Sequence, residues 1–378
     1  MSAWPGKYVI GLTGNIATGK SVVRRMLEHL GAYGIDADAL AHRAIAQDAP
    51  GYQPIVDTFG KWVLGSDGQV DRSRLSRVIF ADPEALARLE AIVHPLVGQA
   101  VDILIRRSPR SVVVLEAIKL IESGLNKQCD SLWVTYASQE MQMSRLMQKR
   151  GMTEAAARQR IQAQPVQEQK TAAARVVIQN TGSFEDSWRQ VVTAWQATVP
   201  GSFAQPETPA KTARKGELAV ERARPRQAGE IAELITRLSK GKRRLNRDDI
   251  MAAFGDKAFL VLRTDGRPVG VVGWKVENLV ARTDGLYLED GIPFAEALRV
   301  FMQEVEQTSR ELQCEASLLF LPDDLVYQDT VLKSLGYQQS SVQSLGVRAW
   351  QEAAIESRSA HSVMLFKQLR QDRVLRPV

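Results

Sequence analysis

The chain has 378 residues, 44% of them hydrophobic and 24% charged, with a formal net charge of +6. That length exceeds what one hydrophobic core usually serves, so two domains are expected, and the composition excludes a disordered or fibrous chain. The 23 Lys and Arg against 19 Asp and Glu in residues 1–200, and 26 against 24 thereafter, leave neither half basic enough for a nucleic-acid partner.

The N-terminus shows no secretory pattern and no apolar run is long enough for a membrane span, so a cytoplasmic protein without a membrane partner is expected. Two cysteines, Cys129 and Cys314, lie far apart without a CxxC, and four histidines show no ligand spacing; buried thiols and no structural metal are expected.

Residues 7–14 form a short apolar run ending in glycine, the pattern of a buried parallel strand, and a helix follows from Lys20 to about Leu30. Further strands are read at 32–36, 111–116, 131–137 and 175–178, with helices at 38–46, 71–79, 83–105, 138–149 and 184–197. Strands alternating with helices imply right-handed crossovers and a parallel sheet covered on both faces, so the first half is α/β and three-layered. Residues 199–216, rich in proline and small polar residues, read as a linker. Beyond it come a strand at 218–224, a helix at 227–238, a hairpin of 259–263 and 268–276 turning at Asp265-Gly266, a helix from Pro293 to about Leu312, and a strand at 316–321. A short helix before Gly336-Tyr337 and a final strand complete an α+β second half with a largely antiparallel sheet.

Gly14-Asn15-Ile16-Ala17-Thr18-Gly19-Lys20-Ser21 matches GxxxxGK[ST] and lies between a strand and a helix, as the chemistry requires. Glycines let successive N–H groups curl towards the phosphates of ATP, the helix adds its positive end, Lys20 neutralises phosphate charge, and the Ser21 hydroxyl suits Mg²⁺. A GTPase is excluded, because Asn126-Lys127-Gln128-Cys129-Asp130 has one residue too many for the guanine-reading NKxD. The run Val112-Val113-Val114-Leu115-Glu116 ends in an acid where such proteins hold the metal shell, without the arginine-finger pattern of oligomeric ATPases.

Asp36 and Asp38 close the second strand, at the carboxyl edge where ligands of open parallel sheets bind. A carboxylate there takes the proton of an attacking hydroxyl, or Asp38 caps the following helix; the residues alone leave both readings open. A scaffold or sensor built on the same phosphate loop, or another nucleotide kinase, also remains open at this point.

In order, these segments and Arg77-Val78-Ile79-Phe80, His94-Pro95, Ser144-Arg145-Leu146, Lys149-Arg150-Gly151-Met152, Arg160-Ile161-Gln162-Ala163-Gln164 and Val177-Ile178-Gln179-Asn180-Thr181-Gly182 resemble the dephospho-coenzyme A kinase family over about residues 8–197. The resemblance implies dephospho-coenzyme A as acceptor and MgATP as donor, Asp38 as catalytic base with Lys20 and Arg145, and Asp36, His94 and Arg160 at the acceptor. It implies a helical acceptor-binding insertion at about 40–107, a mobile lid at about 149–170 bringing Arg145, Arg150 and Arg160 to the phosphates, and Asn180 beside the adenine. His94 otherwise reads as a packing histidine before a helix stop, and the lid as an exposed arginine-rich helix. Asn15 and Ala17 depart from glycines common in the family, and Glu116 to Leu120 from a Pro-Leu-Leu segment.

Residues 217–378 resemble a Gcn5-related acetyltransferase fold, through Arg222-Ala223-Arg224-Pro225, Asp265-Gly266-Arg267-Pro268-Val269-Gly270 and Leu332-Lys333-Ser334-Leu335-Gly336-Tyr337. Its pyrophosphate-binding turn stands here as Leu288-Glu289-Asp290-Gly291-Ile292-Pro293, with added acids and a lost amide donor, so a divergent, non-catalytic module is expected. Tyr337 reads as a former general acid or a core aromatic. The oligomeric state is left open, and the two halves are expected to be separable.

Overall fold

The computed structural model describes residues 3–79, 81–201, 216–325, 329–357 and 362–375. Most of the expected linker, at 202–215, and Phe80 lie outside them.

The first half runs β1 Tyr8–Thr13, α1 Lys20–His29, β2 Tyr33–Asp36, α2 Ala37–Ala44, α3 Tyr52–Phe59, α4 Arg72–Ile79, α5 Pro83–Arg107, β3 Val112–Glu116, β4 Ser131–Tyr136, α6 Gln139–Arg150, α7 Glu154–Gln162, α8 Gln167–Ala173, β5 Val176–Gln179 and α9 Phe184–Thr198. Five parallel strands stand in the order β2-β3-β1-β4-β5. Alternation along the strands feeds two apolar layers. Val9, Val113 and Leu115 pack with Val97, Val101 and Leu104 of α5, while Ile10, Leu12 and Val114 pack with Val23, Met26 and Leu27 of α1 and Val191 of α9. Covering both faces buries every residue of β3, which is why this strand reads as a continuous apolar run rather than an alternating one.

The helix expected at 83–105 is α5, which runs through Pro95 to Arg107 at the cost of one backbone hydrogen bond, so the stop that went with the packing reading of His94 does not occur. Val93 and Val97 are buried on either side of that point and hold the helix on the sheet.

The second half runs β6 Ala219–Arg222, α10 Ala228–Leu238, α11 Arg247–Ala253, β7 Ala258–Thr264, β8 Arg267–Glu277, β9 Val280–Leu288, α12 Phe294–Glu311, β10 Ala316–Pro322, α13 Asp329–Ser334, β11 Gln338–Gln339, α14 Arg348–Ser357 and β12 Ser362–Gln368. Its seven strands form one sheet in the order β11-β12-β10-β9-β8-β7-β6. Only β9 and β10 pair in parallel, from Val280↔Ala316 to Thr283↔Leu319; the other neighbours are antiparallel. The turn after β9 leads into α12 as the acetyltransferase-like pattern requires, but its acid is not free: Glu289 is ion-paired with Arg237 and Arg267. Tyr337 is a core residue, 1% exposed, with its hydroxyl 2.8 Å from Ser317 Oγ.

The halves are less separable than the sequence suggests. Leu279, Val374 and Leu375 join the apolar cluster built by β2, α2 and α5. Arg247 makes a bidentate ion pair with Glu185 (2.8 and 3.0 Å), His29 Nε2 donates to the carbonyl of Phe254 (2.8 Å), and Tyr33 donates its hydroxyl to the carbonyl of Leu312 (3.3 Å). A chain cut near Pro200 therefore exposes apolar surface that the sequence gives no hint is covered.

Among the described residues, Arg43 and Glu315 form the most enclosed ion pair between the halves. Their side chains are 10% and 1% exposed, and Arg43 Nη1 also donates to the carbonyl of Asn278. Arg43→Ala strands the Glu315 carboxylate in a site with little water, and is expected to lower unfolding free energy by about 3–5 kcal/mol. Urea unfolding checks this; a loss below about 1 kcal/mol would reduce the pair to the worth of a surface one.

Candidate active site

The loop between β1 and α1 is shaped by contacts that only small residues permit. Gly14 lies against β4, where a Cβ would meet Thr135 Oγ1 at 2.4 Å, and Gly19 has φ of 93° with a would-be Cβ 1.8 Å from Asn180 Nδ2. Thr18 Oγ1 is 2.7 Å from Thr135 Oγ1, and Asn180 Nδ2 donates to the carbonyl of Thr18 (2.9 Å), so β4 and the end of β5 fix the loop from beneath. Ala17 takes a left-handed φ of 59°, a conformation that favours glycine, at the position where the family's glycine is missing.

Lys20 opens α1 with its side chain buried and Nζ 3.1 and 3.2 Å from the carbonyls of Gly14 and Asn15. Burial lowers its pKa, opposed by the nearby charges of Glu116 and Asp38. Beside it Ser21, exposed, donates its hydroxyl to Glu116 Oε1 (3.0 Å), whose other oxygen accepts from Arg24 Nε (2.7 Å). Glu116, at the end of β3, is thus part of the site, as the strand ending in an acid hinted; Arg24 carried no sequence signal of its role.

The two aspartates divide the work differently from the capping alternative. Asp36 is the N-cap of α2 and accepts from Ala39 N (2.9 Å), which corrects the reading of Asp38 as a mere cap. Burial, then the repulsion of Glu116, pushes Asp36 up to about 6. Asp38 lies in the first turn of α2 and accepts from the Ile118 N–H (3.0 Å). Burial raises its pKa too, against that hydrogen bond and the attraction of Lys20. Ile118 explains why the altered segment after Glu116 is tolerated: its backbone makes the contacts, with its carbonyl accepting from Thr13 Oγ1 (3.1 Å) and from buried Lys170 (2.6 Å).

From the lid region, Arg145 reaches the loop, with Nη1 donating to the carbonyl of Ala17 (3.0 Å) and Nη2 to that of Asn180 (2.9 Å). The segment after α7 rests on the loop as well: Gln164 Oε1 accepts from Ile16 N (2.7 Å), and Asn15 Nδ2 donates to the carbonyl of Pro165 (2.8 Å). The structure does not bring Arg150, Arg160 or His94 into this constellation; all three are exposed and their side chains show no hydrogen bond or ion pair to another described residue. Asp130, of the rejected guanine motif, accepts from Val9 N and has a role in the sheet.

A hydroxyl, three carboxylates and a buried ammonium at one sheet edge are hard-oxygen and cationic chemistry, which suits a phosphate chain and Mg²⁺. Among the described residues no group of three or more His, Cys, Asp or Glu is placed to hold a metal ion by itself.

Comparison with known proteins agrees. The family model described as Dephospho-CoA kinase matches residues 8–186. A dephospho-CoA kinase of Geobacter metallireducens is 42% identical over 194 residues, 50% of this chain and 96% of that protein. Its counterpart in Geobacter sulfurreducens is 42% identical over 195 residues, 51% of this chain and 99% of the relative. A solved acetyltransferase of the GNAT family from Staphylococcus aureus superposes with a TM-score of 0.32 and 12% identity, covering 41% of this chain and 100% of its own. Through its first half, with the phosphate loop, the Asp36–Asp38 pair and Arg145 in their expected order, this chain belongs to the dephospho-CoA kinase family.

Proposed function

We propose that the chain transfers the γ-phosphoryl group of ATP to the ribose 3'-hydroxyl of dephospho-coenzyme A. The observation that carries the reading is the placement of buried Lys20 on the carbonyls of Gly14 and Asn15 in the glycine-rich loop, with Asp38 held by the Ile118 N–H at the ends of the neighbouring strands. In this reading Lys20 and Arg145 neutralise charge on the transferring group, the loop amides from Gly14 to Ser21 hold the phosphates, and Asp38 accepts the hydroxyl proton. Ser21, with Glu116 behind it, would hold Mg²⁺, which would supply neutralisation of phosphate charge when bound. Asp36 positions α2 and with it Asp38, and Asn180 shapes the loop beneath the nucleotide.

His94 and Arg160, exposed without the acceptor, serve in this proposal as its outer contacts, and Arg150 with Arg160 as groups carried in when the lid moves. Residues 40–107 form the acceptor-binding insertion, 149–170 the lid, and 217–378 an acetyltransferase-like module that does not acetylate. Among the described residues no helix is long and apolar enough to cross a membrane. We place the enzyme in the cytoplasm, where Cys314, buried, and Cys129, partly so and pushed up to about 12 by burial, persist as free thiols.

The test is ADP release with dephospho-coenzyme A, AMP and shikimate as acceptors. Turnover with dephospho-coenzyme A should exceed that with either alternative by about 10³-fold or more, the discrimination expected of a site built to hydrogen-bond its own substrate. Preference for AMP would make the chain a nucleotide kinase, and no turnover with any acceptor would favour a sensor.

A further inference from the structure

Away from the phosphate loop, a cleft of about 930 Å³ separates the two sheets. The first half contributes α1, β2 and α2 to its walls, and the second half contributes β6, the turn after it and α12. A volume of that order accommodates a phosphorylated small molecule.

The charges lining it are unevenly matched. Glu28 is held by Arg24 and Arg25, Glu311 by Arg110, Glu221 by Arg263 and Glu277 by Arg282. Arg222 and Arg226 have no such partner: neither side chain makes a hydrogen bond or ion pair with another described residue. Arg226 is exposed, whereas Arg222 is largely enclosed, its guanidinium 5.5 Å over the ring of Trp274. Trp274 is itself 3% exposed, so it supports the guanidinium from behind rather than offering its face to the cleft. Glu28 and Glu304 attract Arg222 only from a distance, and burial draws its pKa down to about 10. Of the lining carboxylates, Asp36 and Glu304 lack a cation partner, and Asp36 belongs to the opposite wall.

A largely enclosed cation whose nearest carboxylate, Glu28, is already shared by Arg24 and Arg25 keeps no direct ion pair of its own, and a fold that holds one beside an open cavity gains free energy when an anion enters. A planar guanidinium braced on an aromatic ring presents a fixed fork of donors that matches phosphate oxygens. We infer that this cleft is a second anion site, distinct from the phosphate loop, which takes a small molecule carrying two or more phosphates on Arg222 and Arg226. Its position between the halves gives the second half a binding role that needs no acetyl transfer.

Calorimetric titration of the full chain with inorganic pyrophosphate, and in parallel with ADP, tests this. Lys20→Ala, which disables the loop, should retain one pyrophosphate site per chain. Adding Arg222→Gln should weaken that site at least tenfold, and adding Arg226→Gln severalfold. Binding of both probes fits a site for the phosphate chain, and binding of ADP alone a nucleotide site; both support the cleft if they are lost with Arg222. Absence of any site in Lys20→Ala, or the same affinity after Arg222→Gln, would overturn the inference. Arg226 is exposed and its loss cannot unfold the chain, so an unchanged affinity in Arg226→Gln overturns it even if Arg222→Gln fails to fold.

Discussion

Lys20→Ala should lower turnover by about 10³-fold or more while leaving the chain folded, because it removes a charge whose main stabilisation is directed at the transferring phosphoryl group. Without nucleotide, Lys20 Nζ rests on the carbonyls of Gly14 and Asn15, and burial already disfavours its charged form. The fold therefore loses little when the ammonium goes. Glu116 keeps Arg24 as a partner, and Asp38 keeps the Ile118 N–H. Transfer loses much more, since in a water-poor loop no solvent cation replaces the lysine as charge moves from the leaving to the attacking oxygen. Single-turnover ADP formation alongside a thermal melt separates the two effects. Near-normal turnover in a folded variant would dismiss the phosphate-loop assignment.

How far the sequence reaches is clear from where it stopped. The strands of the first sheet, the phosphate loop and the order of acceptor-side residues are local patterns: apolar runs ended by glycine, a fixed GxxxxGKS spacing, an acid at a strand end. Some short helices escaped, α3 and α11 among them. The seven-residue α11 carries its signal only in the cap, where Asn246 and Asp249 bond each other's backbone N–H. β9 escaped because its polar middle, Arg-Thr-Asp-Gly, hides a strand paired on both sides, with Arg282 buried through ion pairs to Glu277 and Glu356. Contacts between distant segments left no local trace at all: Arg43 and Glu315 are far apart in the chain, and Val374 and Leu375 return from its end to the core of the first half. In the site, residue types located Lys20, Ser21 and the two aspartates, but which aspartate caps α2 was decided by backbone geometry. The contribution of Gln164, through a side-chain carbonyl on Ile16 N, depends on how the lid folds back over the loop.

Asp38→Asn should reduce turnover by about 10²–10⁴-fold with ATP affinity nearly unchanged, because the amide oxygen still accepts the Ile118 N–H but cannot take the hydroxyl proton. In the free chain, burial raises the Asp38 pKa above the ordinary aspartate value, against the Ile118 hydrogen bond and Lys20. Its protonated form is inactive as a base, so kcat/KM should fall as pH drops through that raised value, and the acid limb should lie above that of an ordinary aspartate. Asp36, pushed up to about 6, is also raised by burial and by the shared neighbour Glu116, so the wild-type limb alone does not assign the base. The comparison does: residual turnover of Asp38→Asn should lose the limb, whereas Asp36→Asn should shift or weaken it while preserving its form. An equal loss of ATP affinity in Asp38→Asn would move this carboxylate from the acceptor to the metal shell, and full activity with an unaltered pH profile would remove it from the reaction.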